Sequence, residues 1–304
     1  MMGMVWGSII AWYLFLAGVS AGAYCTAVWV GWKFPQSVTI QRAGYYLAPP
    51  LLAVGLLLLI IDAEAGLFHP WRFLYLFTNV PGSMMTDGTY IISIFMLITL
   101  YQAYLTFQGK KAPGWLTGVG LLFAFGTAAY TGLLLGVVKA VPLWNTSILP
   151  VLFTVSALST GIAMTVLLAT LTDKNACSQL IRLKKIHFGL MILEGLLIFI
   201  MVYITSSANE TAFHSVMSLL AGEWSLWFWI GLIVVGLLIP LLLEGLELFR
   251  SRSLQVTPAG VEVTAIGTVS SHFMLTMVTE GFVLIGGYLL RFLLLAAGTF
   301  VSLF

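Results

Sequence analysis

Residues 130–146 read YTGLLLGVVKAVPLWNT, and this short run holds a tyrosine, a lysine, a proline and a Trp-Asn pair in a chain with hardly any charge. The run is apolar enough to lie in a membrane. Its polar side chains then carry a desolvation cost that function or packing has to offset. The surrounding sequence decides the setting. Of 304 residues, 60% are hydrophobic and 8% are charged, with a mean hydropathy of +1.05. A soluble domain carries about 25% charged residues, so the chain is an integral membrane protein. At roughly 20 residues per span plus short loops, this length accommodates about eight helices. The apolar runs are continuous rather than alternating with period two, which argues against a barrel. A net charge of +2 gives no basis for a nucleic-acid partner.

Hydropathy predicts spans at 6–32, 44–66, 87–108, 114–138, 147–171, 186–206, 224–248 and 268–300. The seven loops between them are unequal in charge. Lys33, Arg42, Lys110, Lys111, Lys174, Arg182, Lys184, Lys185, Arg250 and Arg252 all lie in or beside odd-numbered loops, ten of the thirteen basic residues. Arg72 and Lys139 lie in even loops, and Arg291 falls inside the last span. The positive-inside rule therefore places the odd loops in the cytoplasm and both termini outside. The N-terminal segment has no basic residues before its apolar run, so it reads as a span of the cell membrane rather than a cleaved signal. Cys25 and Cys177 are too few for an iron–sulfur cluster, which takes about four cysteines. Any such cluster has to belong to a partner. No internal repeat, low-complexity tract or soluble domain stands out.

Two predicted outer loops have distinct characters. Residues 67–88, LFHPWRFLYLFTNVPGSMMTDG, combine many aromatics with a Pro-Gly turn, as an aromatic belt or a platform for a peripheral subunit would. Residues 207–223 are mildly acidic and Ser-rich. The last span is longer than an upright helix needs and holds Gly286 and Gly287, which predicts a tilted or broken helix.

Ionisable groups within spans are the first functional candidates. Asp62 and Glu64 close span two near the outer surface, pointing about 200° apart on a helix, so they cannot both face one cavity. Both would also fit a hydrated interface. Tyr130 approaches the same surface on span four, where a tyrosine is either an interfacial anchor or a hydrogen-bond donor to a carbonyl ligand. Deeper lie Glu194 on span six, Glu244 on span seven, and His272 and Glu280 on span eight. Glu280 and Arg291 are eleven residues apart and share nearly one helical face. This set fits either proton transfer or structural pairing between helices. No metal site is expected. Of the four histidines, His69 and His214 fall in outer loops, while His187 and His272 lie within the membrane and are the pair that a haem b would require. The buried acids alone would also suit a secondary transporter or channel, although paired broken helices and repeats are lacking.

Four stretches narrow these alternatives. WGSIIAWYLFLAGVSAGAY, LLLIIDAEAGLF…FTNVPGSMMTDGTY, AYTGLLLGVVKAVPLWNTSILPVLF and GGYLLRFLLLAAG resemble the NrfD/PsrC family across nearly the whole chain. These are the membrane subunits of polysulfide reductase, formate-linked nitrite reductase and related respiratory complexes. The resemblance implies an all-α membrane protein with eight transmembrane helices in two four-helix bundles, residues 1–138 and 139–304, and no haem. It implies a menaquinone or other quinone site on the outer side of the first bundle. It also implies a four-cluster ferredoxin-like iron–sulfur subunit and a molybdopterin catalytic subunit on the outer face, with no activity from this chain alone. By matching motif, Tyr130 would bind a quinone oxygen, and Glu64, with Asp62 near it, would be the site carboxylate. Where the polysulfide reductase branch has a histidine on helix one this chain has Tyr13, the candidate for a second carbonyl contact.

Overall fold

The computed structural model describes residues 7–62, 83–173, 181–254 and 266–299; the side chains of residue 181 and of 250–272 lie outside that description, as do Glu64, the rest of 63–82 and Lys174. Among the described residues, eight helices are long and apolar enough to cross a membrane. In chain order the helices are α1 (Ser8–Lys33), α2 (Val38–Asp62), α3 (Met84–Phe107), α4 (Gly114–Gly136), α5 (Ile148–Thr172), α6 (Ile181–Ser206) and a short α7 (Glu210–Leu220). A π-helical stretch, Trp227–Leu238, then runs directly into α8 (Ile239–Leu254), and α9 (Ile266–Ala296) completes the set. Successive spans alternate in direction. One face of the protein, the basic face, gathers Lys33, Lys110, Lys111, Arg182, Lys184 and Lys185. The opposite one, where α1 begins and α9 ends, is the terminal face.

α1 is the central helix. Its apolar window is 83% buried, against 28% for α3, because α1 packs on α2, α4, α5 and α9. Within the first four spans α2 also packs on α3 and α3 on α4. In the second half α5 packs on α6 and α9, α6 on α8, and α9 on both α8 and the π-helical stretch. The halves meet where α1 crosses α5, and small residues allow it. A Cβ on Gly22 would collide with the Ala157 carbonyl, and one on Gly161 with the Gly22 backbone. Lipid gives helices no hydrophobic reason to associate, so this close backbone approach supplies the packing energy. Outward-facing positions carry large apolar side chains such as Leu97, Leu122 and Phe199, which lipid does not penalise.

Several boundaries differ from the hydropathy reading. α2 starts at Val38 rather than 44 and α6 at Ile181 rather than 186, since polar interfacial residues extend each helix beyond its apolar window. Pro49 and Pro50 do not break α2, and Ser20 of α1 donates to the Ala48 carbonyl beside them at 2.6 Å. The predicted loop 207–223 contains α7. Asn209 caps it by accepting from the Ala212 amide at 2.8 Å, and Ala212, Ser215, Val216 and Leu219 form its buried stripe. α9 is a single unbroken helix through Gly286 and Gly287, and Gly286 serves instead for close approach to Gly236.

Candidate functional site

Polar groups gather at the terminal face of the first four spans and again inside the last four. The first is built on Tyr13 and Tyr130. Tyr13 lies five residues into α1, and Tyr130 six residues before the end of α4. At 1.5 Å per residue each sits roughly 8–9 Å inward from the terminal end of its helix. Both are buried, and they lie within electrostatic reach of each other. A buried phenol needs a hydrogen-bonding partner, and two within reach of each other could hold a ligand carrying two acceptor oxygens. Tyr130 also interacts with Asp87. Asp87 stands in the first turn of α3, where the helix dipole favours a carboxylate, and its exposed position leads from the buried pair to the surface. Gly88 follows it. A Cβ there would overlap Cζ, Cε1 and Cε2 of Tyr130, so the tyrosine ring lies directly on the α3 backbone.

Asp62 is the last residue of α2, and a side chain at Gly7 would stand 3.7 Å from its Oδ1. Glu64 lies outside the described residues, so the sequence-derived pairing of Glu64 with Tyr130 has no geometry here. Asp87 does not stand out in the sequence because its Thr-Asp-Gly setting reads as the end of a loop. The available signal is an acid at a helix start followed by a small residue.

The polar loop quoted first links the two halves of the protein. Val141, Leu143 and Trp144 are buried while Lys139 and Asn145 are exposed. Trp144 reaches the other half of the protein, where its Nε1 donates to the Leu294 carbonyl at 2.6 Å. Leu294 lies within the last four residues of α9, whose carbonyls have no intrahelical donor, so the indole caps that helix.

In the last four spans His187 of α6, Glu244 of α8 and Glu280 of α9 converge. His187 Nδ1 is hydrogen-bonded to Glu244 Oε1 at 2.8 Å, and Glu280 Oε2 lies 3.6 Å from the same nitrogen. Nearer the basic face Lys184 pairs with Glu247. Further toward the terminal face Ser156 of α5 hydrogen-bonds to Glu194 and accepts from Arg291 Nη1 at 3.2 Å. Arg291 also donates to the Gly287 carbonyl at 2.7 Å and lies over the Phe15 and Phe153 rings at 5.8 and 5.1 Å. Glu194, Glu244, Glu280 and Arg291 are thus brought into one column, although they come from three helices. The His272 side chain is outside the description, so its expected place in this set is untested by the geometry. His187 stands out in the sequence only as one half of a possible haem pair. Its two carboxylate partners come from other helices, and no periodicity within α6 points to them.

The family model described as "Polysulphide reductase, NrfD" matches residues 1–302. The C chain of polysulfide reductase from Wolinella succinogenes is 32% identical over 340 residues, covering 99% of this chain and all of that protein. Protein NrfD of Escherichia coli is 28% identical, covering 90% of this chain and 94% of its own length. A more distant match at 23% identity is the Hdr-like menaquinol oxidoreductase integral membrane subunit of Archaeoglobus fulgidus, covering 78% of this chain and 62% of that one.

Proposed function

The chain belongs to the NrfD family of polysulphide reductase membrane subunits, and from that premise we propose that it exchanges electrons and protons between a quinone pool and an iron–sulfur partner. The observation that carries this reading is the buried Tyr13–Tyr130 pair, with Asp87 leading from it to the terminal face. The relatives support it by their names, which are those of subunits of a polysulfide reductase and a menaquinol oxidoreductase. On this reading the helices form two four-helix bundles, residues 1–138 and 139–304, in the cell membrane. The terminal face lies outside the cell and receives the partners, an iron–sulfur subunit and a molybdopterin catalytic subunit. The chain itself carries no haem.

Oxidising a quinol to a quinone releases two protons and two electrons. Tyr130 and Tyr13 would each hydrogen-bond one quinone oxygen and hold the ring at a fixed orientation. A carboxylate at the mouth would take the protons, with Glu64 as the motif-derived candidate, Asp62 at the end of α2, and Asp87 the carboxylate that interacts with Tyr130. The electrons leave to the partner's nearest cluster, because this chain holds no cysteine set to carry them.

The test is quinol-dependent reduction by the assembled complex, with assembly of each variant checked first. Tyr130→Phe removes one hydroxyl and little volume. Losing that hydrogen bond costs about 1 kcal/mol, which weakens quinol binding roughly five-fold. Glu64→Gln should slow turnover more than it weakens binding, and Asp62→Asn should do less than either. Wild-type kinetics from both Tyr130→Phe and Glu64→Gln would remove this site from consideration.

A further inference from the structure

The ionisable groups buried in the last four spans do not balance. Lys184 pairs with Glu247 near the basic face. Arg291 faces Glu194 through Ser156. That leaves His187 with two carboxylates, Glu244 and Glu280, and all three side chains are 3% exposed or less. A protonated imidazole neutralises one carboxylate. A second buried carboxylate without a counter-charge is costly in this surrounding, and such a group binds a proton instead. The hydrogen bonding agrees with this count. Glu244 holds His187 Nδ1 through one oxygen, while Glu244 Oε2, Glu280 Oε2 and His187 Nε2 have no hydrogen-bond partner among the described residues.

We infer that His187, Glu244 and Glu280 form a proton-binding site that holds one exchangeable proton on its carboxyl pair, between the basic face and the middle of the membrane. This deepens the proposed function, because a site opposite the quinone end can exchange protons with the other compartment, but its chemistry stands independently of the quinone site. Among the described residues, every element packed around His187 adds to the charge balance in a definite way. α6 brings Lys184 and Glu194, α8 brings Glu244 and Glu247, α9 brings Glu280 and Arg291, and α5 brings Ser156 without a charge. Toward the basic face the Lys184–Glu247 pair is partly exposed, with side chains 21% and 11% accessible, and marks the entry side. In the other direction Glu194 is seven residues further along α6, a rise of about 10 Å, and it interacts with both His187 and Arg291.

The experiment is an infrared H2O-minus-D2O difference spectrum of the purified complex in lipid, read in the C=O band of protonated carboxyl groups. Partner subunits contribute equally to every sample, so variants are compared with the parent. Glu244→Gln and Glu280→Gln should each remove the same one-carboxyl component, because either substitution leaves one carboxylate matched by one imidazolium. His187→Gln should do the opposite. It leaves two carboxylates with no cation, both become protonated, and the component should grow roughly two-fold. An unchanged band in both glutamate variants overturns the inference. So does a stoichiometric metal ion in the parent complex that disappears in Glu280→Gln. Quinol turnover of the same samples keeps the two readings apart. Tyr130→Phe should raise the KM for quinol roughly five-fold and keep the band, so an unchanged band in the glutamate variants alongside that KM shift sinks only the proton site, and the converse sinks only the quinone site.

Discussion

Gly88→Ala is the smallest change that probes the candidate quinone site from the protein side. The new methyl would overlap Cζ, Cε1 and Cε2 of Tyr130. Carbon atoms prefer separations of about 3.5–4.0 Å, so ring and helix have to part by an appreciable fraction of a contact distance. Tyr130 is buried, with Tyr13 in electrostatic reach, so the ring has little free volume to enter. Overpacking of this kind costs about 1–3 kcal/mol. Where that strain displaces the Tyr130 hydroxyl, its hydrogen bond to quinol is lost and the apparent affinity falls roughly five-fold, as for Tyr130→Phe. The assay is the KM for quinol in the assembled complex, alongside thermal stability of the purified protein. Gly118→Ala is the control on α4, the helix that carries Tyr130. No atom lies within 4 Å of the position a Cβ would take there, and replacing a helical glycine at such a site should be neutral or stabilising by up to about 1 kcal/mol. A Tyr130→Ala background supplies the decisive comparison, because removing the ring makes room for the methyl. Wild-type KM and stability for Gly88→Ala, or an undiminished penalty in the Tyr130→Ala background, would refute the reasoning.

Two further substitutions test the packing that positions this site. Trp144→Phe removes the indole donor from the Leu294 carbonyl and leaves that carbonyl buried, a cost of about 1–3 kcal/mol; the melting temperature of the purified protein should fall by several degrees, and an unchanged value would deny Trp144 its capping role. Gly161→Val places three carbons where α1 and α5 backbones touch, so the protein should fail to elute as a single species in detergent, whereas Gly189→Ala, which meets no atom within 4 Å, should elute as the parent does. A monodisperse, normally melting Gly161→Val protein would show that the two halves do not depend on this crossing.

The eight spans are legible because lipid imposes one simple requirement, about twenty predominantly apolar residues in succession, and the residues of α5 meet it without a single charge. Boundaries are less legible, since Arg182, Lys184 and Lys185 continue α6 beyond its apolar window into the interface. α7 escapes notice because an eleven-residue amphipathic helix lacks the length that hydropathy detects, although Asn209 followed by Glu210 is a capping signal. At the site, the block beginning at Tyr130 points to the terminal face, where Tyr130 lies within electrostatic reach of Tyr13. Asp87 gives no such signal, because its link to Tyr130 depends on how α3 packs against α4. The same reason hides the His187–Glu244 bond and the Trp144–Leu294 bond, whose partners lie 57 and 150 residues apart. Sequence periodicity describes the faces of one helix, whereas these contacts depend on which faces meet.

Arg291 shows what those meeting faces accomplish. A fully buried arginine in a membrane span is costly, yet its guanidinium sits over two phenylalanine rings, Phe15 of α1 and Phe153 of α5, and donates to Ser156 and to the Gly287 carbonyl. Cation–π contacts gain strength when water is excluded, so the rings on either side of the crossing help hold the charge. Room for it comes from α1, where a Cβ on Gly18 would stand 2.7 Å from Nη2. One turn back along α9, Tyr288 packs against Trp12 of α1 with ring centroids 4.2 Å apart, and Trp12 adjoins Tyr13. Among the described residues, Arg291 is the buried charge where α1, α5 and α9 meet. It therefore stands between the acid cluster around His187 and the helix that carries Tyr13. A fixed positive charge at this place opposes a second cation beside it. At this crossing the two regions are therefore joined by side-chain packing, in which Arg291, the rings of Phe15 and Phe153 and the Tyr288–Trp12 contact take part.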